Sequence, residues 1–194
     1  MKRLFVVAVV MMFVTTPSYA NPDTAVPDGE PAEIGSSNEA AHAPVREIQA
    51  NHLVIDVNGI VCSFCAYGLE KALGKLSSID ASLYGNGVLV EIESQRVSLA
   101  LLAERAIDFA DIFERIKDAG YDPVRFYFNL AGTAAQAGGK WVVTGTNPGQ
   151  RFTISNSSAS VQQGKFMSTV YVDASVAKVA VGSAPVEVVV DGHE

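Results

Sequence analysis

The stretch NGIVCSFCA, residues 58–66, contains both cysteines of the 194-residue chain, Cys62 and Cys65, three positions apart. Before it, residues 52–57 place apolar side chains at alternate positions, which is typical of a half-buried strand. After it, residues 69–76 repeat leucine and alanine at helical spacing. The pattern therefore predicts that the cysteines lie where a strand-to-helix loop enters the first turn of a helix.

A cysteine at the start of a helix meets backbone N–H groups that have no partner in the helix and the positive end of the helix dipole. Both stabilise a thiolate, the form that binds a soft metal or attacks a disulfide. Two chemistries therefore fit Cys62 and Cys65: two-coordinate binding of a soft ion such as Cu(I) or Hg(II), and dithiol–disulfide exchange. A structural disulfide or half a zinc site is the plainer alternative. Closed zinc sites need four ligands, and only His42, His52 and His193 could add to the cysteines.

Two short motifs resemble the heavy-metal-associated domain, the module of periplasmic mercury-binding proteins, copper chaperones and the amino-terminal arms of metal-pumping ATPases. Residues 59–65, GIVCSFC, are similar to that family's Gly-Met-x-Cys-x-x-Cys loop, and residues 119–121, AGY, are similar to its late Ala-Gly-Tyr. Ile60 stands where the family has methionine, which is mainly a packing residue there. The resemblance covers residues 52–125, and it implies a ferredoxin-like βαββαβ sandwich with the two motifs at the expected ends.

The resemblance also implies roles for individual residues around the loop. Cys62 and Cys65 would be the metal ligands, with Cys62 the thiolate that first changes hands and Cys65 the anchor in the helix. Tyr121 would face the loop and shield the site without ligating, although simple hydrophobic packing is an equal alternative. The residues expected to surround the two ligands are Gly59, Ile60, Ser63 and Tyr121.

The amino-terminal region predicts export. Residues 1–20 have a basic start, an apolar run and small residues before a cleavage point after Ala20, which is typical of a secretory signal peptide. The run is too short to cross a membrane, so we expect a periplasmic or secreted protein without stable membrane insertion after cleavage. Residues 21–50 are acidic and rich in proline, and they predict a disordered linker. A formal net charge of −7 at pH 7 disfavours nucleic acid as a partner.

Two globular units are predicted after the linker. Residues 51–125 are expected to contain a hairpin around the turn at residues 85–87, an extra helical turn or two within residues 94–107, and a helix capped by Asp108. Residues 126–194 carry short apolar runs between turn-rich segments. The runs lie at residues 126–130, 141–143, 152–154, 166–172, 176–181 and 186–190. The predicted fold class is α+β: a ferredoxin-like βαββαβ sandwich followed by a small all-β barrel or sandwich.

Three functional hypotheses follow. The first is an exported soft-metal-binding protein or metallochaperone that is not an enzyme and whose partner is a metal-transporting membrane protein or another periplasmic metal protein. The second is a thiol–disulfide oxidoreductase, because an exported compartment is oxidising. Val61 precedes Cys62, where a thioredoxin-like site has an aromatic residue, and Pro123 is the only proline in the first unit. The third is a non-catalytic envelope interaction module in which the β unit is the working part.

Overall fold

The computed structural model describes residues 47–156, 161–182 and 184–191, which belong to one compact unit. The predicted signal peptide at residues 1–20 and the predicted linker up to residue 46 lie outside them. The strands are β1 (His52–Asn58), β2 (Val88–Glu91), β3 (Arg96–Ala100), β4 (Asp122–Ala137), β5 (Lys140–Gly145), β6 (Arg151–Ile154), β7 (Gly164–Asp173) and β8 (Val186–Val190). The helices are α1 (Ser63–Leu73), α2 (Phe109–Asp118) and α3 (Ala174–Ala177). Within the described ranges, no helix has the length and apolar character needed to cross a membrane.

All eight strands form one sheet, in the order β2-β3-β1-β4-β5-β6-β8-β7, and β4 also pairs with β7. Strands β4, β5, β6, β8 and β7 therefore close into a five-stranded barrel. Every pairing is antiparallel except that of β6 with β8. On one side β4 pairs first with β1, through residues 122–128, and then with β5, through residues 132–137. On its other side β7 pairs with residues 125–134.

The predicted fold class is wrong. The described chain is mostly strand, with 18% of it helical, and the sheet that contains β1 continues through β4 into a closed barrel instead of ending as a ferredoxin-like sandwich. The boundary predicted between residues 125 and 126 lies within β4. The sequence pattern placed a domain boundary inside this strand because a local pattern cannot show long-range pairing. In the structure, residues 125–128 of β4 pair with β1 on one side and with β7 on the other. Separate folding of residues 51–125 stays a prediction.

Residues 94–107 were expected to add helical turns, and that prediction is wrong too. They contain β3, which pairs with both β1 and β2 and buries Val97 and Leu99 completely. Val97 and Leu99 are two positions apart in the strand, so both side chains face the core. Their packing outweighs the helix propensity of the nearby alanines and leucines. The hairpin therefore joins β2 to β3. The alternating residues 79–83 were expected to pair with residues 88–92 across the turn at residues 85–87, and they form no strand; residue 79 makes only an isolated bridge to Leu101.

Two further local predictions can be compared with the structure. The turn at residues 85–87 is present, and Gly87 is required there because its φ is +76° and an added Cβ would lie 2.7 Å from the carbonyl oxygen of Asp80. The apolar run at residues 176–181, expected to be a strand, instead begins within α3. The runs that start at residues 141, 152, 166 and 186 lie in β5, β6, β7 and β8 as expected.

Aromatic side chains join the helices to the barrel in one continuous core. Phe109 of α2 packs on Phe126 and Phe128 of β4, with ring centroids 6.0 and 5.7 Å apart. Phe128 in turn lies 5.3 Å from Phe152 of β6. All four rings are buried, and pairs of this kind add stability beyond the area they remove from water. The helix layer and the barrel are thus stabilised by the same side chains.

Ile48, near the start of the described residues, packs on the face of the sheet that is opposite the main core. Ile48 is buried with Val54 and Tyr127 in a small second cluster, and Asn129 Nδ2 donates a hydrogen bond to the Ile48 carbonyl at 2.7 Å. The linker was predicted to run to residue 50. The packed body therefore includes at least its last few residues.

Candidate functional site

The two cysteines lie where the loop after β1 enters the first turn of α1, which confirms the predicted strand-to-helix position. Cys62 is the N-cap residue of α1: its backbone is extended, with φ −152° and ψ 156°, and its Sγ accepts a hydrogen bond from the Cys65 N–H at 3.1 Å. Cys65 lies in the first helical turn, and the two are joined as a disulfide with a Cα–Cα distance of 5.2 Å. Cys62 is exposed and Cys65 is partly buried. Cys62 is therefore the more accessible of the two residues.

Reduction of this disulfide would leave two thiols on the same surface loop. The N–H of Cys65 and the start of α1 would then stabilise negative charge on Cys62 Sγ. In the described part of the chain, no group of three or more histidine, cysteine or acidic side chains could hold a metal ion. The donor set is thus two thiolates. Such a set fits a soft ion of low coordination number, Cu(I) or Hg(II), and is two ligands short of a structural zinc site.

Of the three histidines that could have added to a zinc site, His52 alone lies within the described residues, and it does not join the cysteines. His42 and His193 lie outside the described residues. His52 is buried at the opposite end of β1, where its Nδ1 is 2.9 Å from the Ala50 carbonyl oxygen and its Nε2 is 3.1 Å from the Tyr84 hydroxyl. His52 and Asn58 are six positions apart along β1, a distance of about 20 Å. His52 therefore has a structural role away from the thiols.

Gly59, Ile60 and Ser63 occupy three different environments around the loop. Gly59 has a φ of +98°, in the region that favours glycine, and an added Cβ would meet the Tyr121 ring only at 3.7 Å. Glycine is needed there for its backbone conformation and not for space. Ile60 is fully buried in the main core, so it supports the loop by packing. Ser63 is exposed at the first position of α1.

Tyr121 reaches the cysteine loop from the junction of α2 and β4. Its hydroxyl donates a hydrogen bond to the carbonyl oxygen of Cys65 at 3.2 Å, and its half-buried ring packs on the main core. The Tyr121 ring therefore lies next to the cysteine loop, where the family resemblance placed it. Its hydrogen bond holds the backbone of the helical cysteine and leaves both sulfurs uncovered by that hydroxyl.

Gln95 is a site residue that the sequence analysis missed. It lies in the turn between β2 and β3, and its Oε1 accepts hydrogen bonds from the N–H groups of Gly59 at 3.0 Å and Ile60 at 3.1 Å. Its Nε2 donates to the carbonyl oxygens of Ile60 at 2.5 Å and Ile92 at 2.7 Å. Its own carbonyl accepts from the N–H of Val57 at 2.8 Å. A single turn residue thus holds the backbone that leads into Cys62.

Three exposed apolar side chains surround the cysteines. Val61 is 80% exposed, Phe64 is 84% exposed and Tyr67 is 54% exposed. Val61 and Phe64 are direct sequence neighbours of the two cysteines, and Tyr67 follows within α1. Large apolar side chains grouped on a surface are typical of a contact site for another molecule. We call these three residues the apolar rim.

Comparison with known proteins gives little. No protein-family model matches this chain, and no curated protein matches it. Among solved structures, the chain is similar to a CopZ metallochaperone, with a TM-score of 0.32 and 23% sequence identity over 38% of this chain and 98% of that chain. A likeness at that TM-score shows neither the fold nor the function of this chain. The resemblance of residues 59–65 and 119–121 to the heavy-metal-associated domain therefore stays a prediction.

Proposed function

We propose that this protein is a soft-metal carrier of the metallochaperone kind, which binds one Cu(I) or Hg(II) through Cys62 and Cys65 and passes it on by ligand exchange. The observation that carries this proposal is a pair of cysteines at a helix start, Cys62 exposed and Cys65 partly buried, next to loop residues that Gln95 binds through hydrogen bonds. Two thiolates satisfy a soft ion and leave room for a third ligand. An open site of this kind suits transfer better than storage.

The unequal exposure of the two cysteines suggests the order in which they would release the ion. An incoming thiolate can approach the ion from the side of Cys62, which is exposed, and displace that ligand first. Cys65 is partly buried in the first turn of α1, and its carbonyl is held by Tyr121. It is therefore the ligand that would leave last. This sequence of steps moves an ion without any covalent chemistry on a substrate, so we propose a carrier and not an enzyme.

The apolar rim suggests how a partner would contact the site. Val61 and Phe64 are more than three quarters exposed beside the thiols, so a partner that brings its own soft ligand to the ion would also cover these side chains. We propose a metal-transporting membrane protein or another metal protein of the same exported compartment. That compartment is the one predicted from residues 1–20.

The disulfide favours a second candidate, a thiol–disulfide oxidoreductase. In the oxidised protein both sulfurs are bonded to each other, and reduction to two thiols takes two electrons and two protons. An external thiolate could attack the exposed Cys62 Sγ and release the Cys65 thiolate at the helix start. The same pair would then exchange electrons with a partner dithiol. Metal binding requires the reduced form under either hypothesis, because the disulfide has no thiolate to offer.

A competition titration tests the metal-carrier proposal. The chain without residues 1–20 is reduced under anaerobic conditions and titrated with Cu(I), Hg(II) and Zn(II) against a chelator. We expect one soft ion per chain and much weaker Zn(II) binding, with loss of tight binding in Cys62→Ser and Cys65→Ser. Ser77→Ala is the control, since it changes an exposed serine that lies beyond the end of α1 and outside the cysteine loop. Tight Cu(I) binding in the double cysteine variant would overturn the proposal.

A further inference from the structure

Regular strand pairing stops just before the cysteine loop. The last pair between β1 and β3 joins Asp56 to Arg96, and the pairing of β1 with β4 shifts register between Asp56 and Val57. The next backbone groups of β1 and its loop therefore extend beyond the ladder with β3. Gln95 immediately precedes Arg96 in the chain, so it lies at the point where the ladder ends.

Beyond the end of the β1–β3 ladder, the side chain of Gln95 makes hydrogen bonds with the backbone of the loop. A carboxamide has one oxygen with two acceptor sites and one nitrogen with two donor hydrogens. All four positions are used here: two N–H groups of the loop at the oxygen, and two carbonyl oxygens at the nitrogen. The partners also fix which end is oxygen, because N–H groups face one end and carbonyl groups face the other. We call this set of contacts the Gln95 clasp.

The backbone conformation of Gln95 favours glycine, so a glutamine at this position indicates a role for its side chain. Its φ is +54°, a left-handed conformation that glycine adopts more easily than any residue with a Cβ. Glycine would relieve the backbone but would remove all four side-chain hydrogen bonds. Asparagine tolerates the same φ, yet its side chain is one methylene shorter. Glutamate would keep the two acceptor contacts and lose both donors.

We propose that Gln95 is the positioning residue of the thiol site: the Gln95 clasp fixes the path of residues 59 and 60 and thereby the position of Cys62 relative to Cys65. For metal binding this inference rests on the proposed function. For the disulfide it does not, because the same clasp determines how readily the two sulfurs meet. Residues that orient a ligand without touching the metal commonly change affinity by 10- to 100-fold when they are replaced.

Three variants of Gln95 separate positioning from mere support of the fold. Gln95→Ala removes the clasp and keeps the Cβ, so the cost of the left-handed backbone is unchanged. Gln95→Gly removes the clasp and relieves that cost. Gln95→Glu keeps the contacts to the two N–H groups and loses the contacts to the two carbonyls. The matched control is Glu93→Ala, an exposed side chain of the same turn.

Two readouts are measured beside thermal melting: Cu(I) affinity of the reduced protein against a chelator, and the reduction potential of the Cys62–Cys65 pair in glutathione buffers. We expect all three Gln95 variants to lower Cu(I) affinity about tenfold or more, and Glu93→Ala to leave it unchanged. Gln95→Glu belongs with the others because its second carboxylate oxygen would face the carbonyl oxygens of Ile60 and Ile92, which repel it. We also expect a disulfide that is easier to reduce, by about 30 mV for each tenfold change in its equilibrium constant. The loss in Gln95→Gly should persist even where its melting temperature matches or exceeds that of Gln95→Ala.

The outcomes distinguish this inference from the proposed function. If the unmodified protein binds Cu(I) tightly and the folded Gln95→Gly variant shows the same affinity and potential, the positioning role is wrong and the carrier proposal stands. If the unmodified protein binds no soft ion but the potential still shifts in the Gln95 variants, the carrier proposal is wrong and the positioning role stands. Equal effects in Glu93→Ala would also overturn the inference, because they would reflect any change in the turn.

Discussion

The cysteine loop and the barrel are stabilised in different ways. The loop lies beyond the last residue pair of β1 with β3, and its path depends on the side chain of Gln95 and on the buried Ile60. The barrel depends on a ten-residue ladder between β4 and β7 and on aromatic side chains shared with α2. The first arrangement leaves sulfur and apolar surface accessible, whereas the second places its apolar groups inside. We therefore expect changes in the loop to alter chemistry and changes in the barrel to alter stability.

The largest expected effect comes from removing the barrel. A chain that ends at Arg125 loses Phe126 and Phe128, which pack on Phe109, and it loses every residue of β7. The sequence predicts that residues 51–125 fold separately, whereas the aromatic core shared with β4 predicts that this fragment is largely unfolded, because Phe109 loses both of its partners in β4. Circular dichroism and amide exchange measure this directly.

A fragment that ends at Ala137 is the matched comparison for this experiment. It keeps all of β4 with its two phenylalanines but leaves the β7 edge unpaired. We expect it to regain part of the helical signal. A stable, cooperatively unfolding fragment that ends at Arg125 would show that the two regions are separate domains and that the shared core is unimportant for folding.

The next effect compares two phenylalanines. Phe128 is 4% exposed between α2 and the barrel, and Phe64 is 84% exposed in the apolar rim. We expect Phe128→Ala to lower the free energy of unfolding by about 3–5 kcal/mol. Phe64→Ala should change it by no more than about 0.5 kcal/mol, as is usual at the surface. Urea denaturation checks both values.

The same pair of variants also tests the division between stability and chemistry. Phe64→Ala should slow transfer of Cu(I) to an acceptor protein while leaving affinity for a small chelator unchanged, since a small chelator needs no apolar contact. Folded Phe128→Ala should behave like the unmodified protein in both assays. A large loss of stability from Phe64→Ala would mean that the apolar rim packs on the body in solution.

Reducing the disulfide is expected to have a smaller effect on stability than Phe128→Ala. Cys62 and Cys65 are three residues apart, so their bond closes a very short loop and restricts the unfolded chain only slightly. The chain-entropy relation then gives a contribution of about 2 kcal/mol at most. We expect the reduced protein to remain folded, with a modest fall in the urea midpoint. The Cys62→Ser, Cys65→Ser variant provides the control, because its midpoint should not respond to reductant, and unfolding on reduction would identify a structural disulfide.

Much of the candidate site could be predicted because its elements are close in sequence. The alternation before residue 58 and the helical spacing after residue 66 define β1 and α1, and the loop between them carries both cysteines. Gln95 could not be found in this way. It lies 35 and 36 residues from the loop groups it holds, and a single glutamine in a turn has no pattern that distinguishes it from a solvated side chain.

By itself, the sequence determined the place of the thiol pair at the start of a helix. Covalent spacing keeps Cys62 and Cys65 together, and a helix start stabilises negative charge on sulfur in any fold. Only the tertiary structure decided that residues 96–100 are a strand, that β4 continues from β1 into a closed barrel, and that Gln95 completes the loop. The physical reason is that these features depend on which strand edges and backbone groups meet across the folded chain. Periodicity and propensity describe only a residue's neighbours in sequence, so they carry no information about that choice.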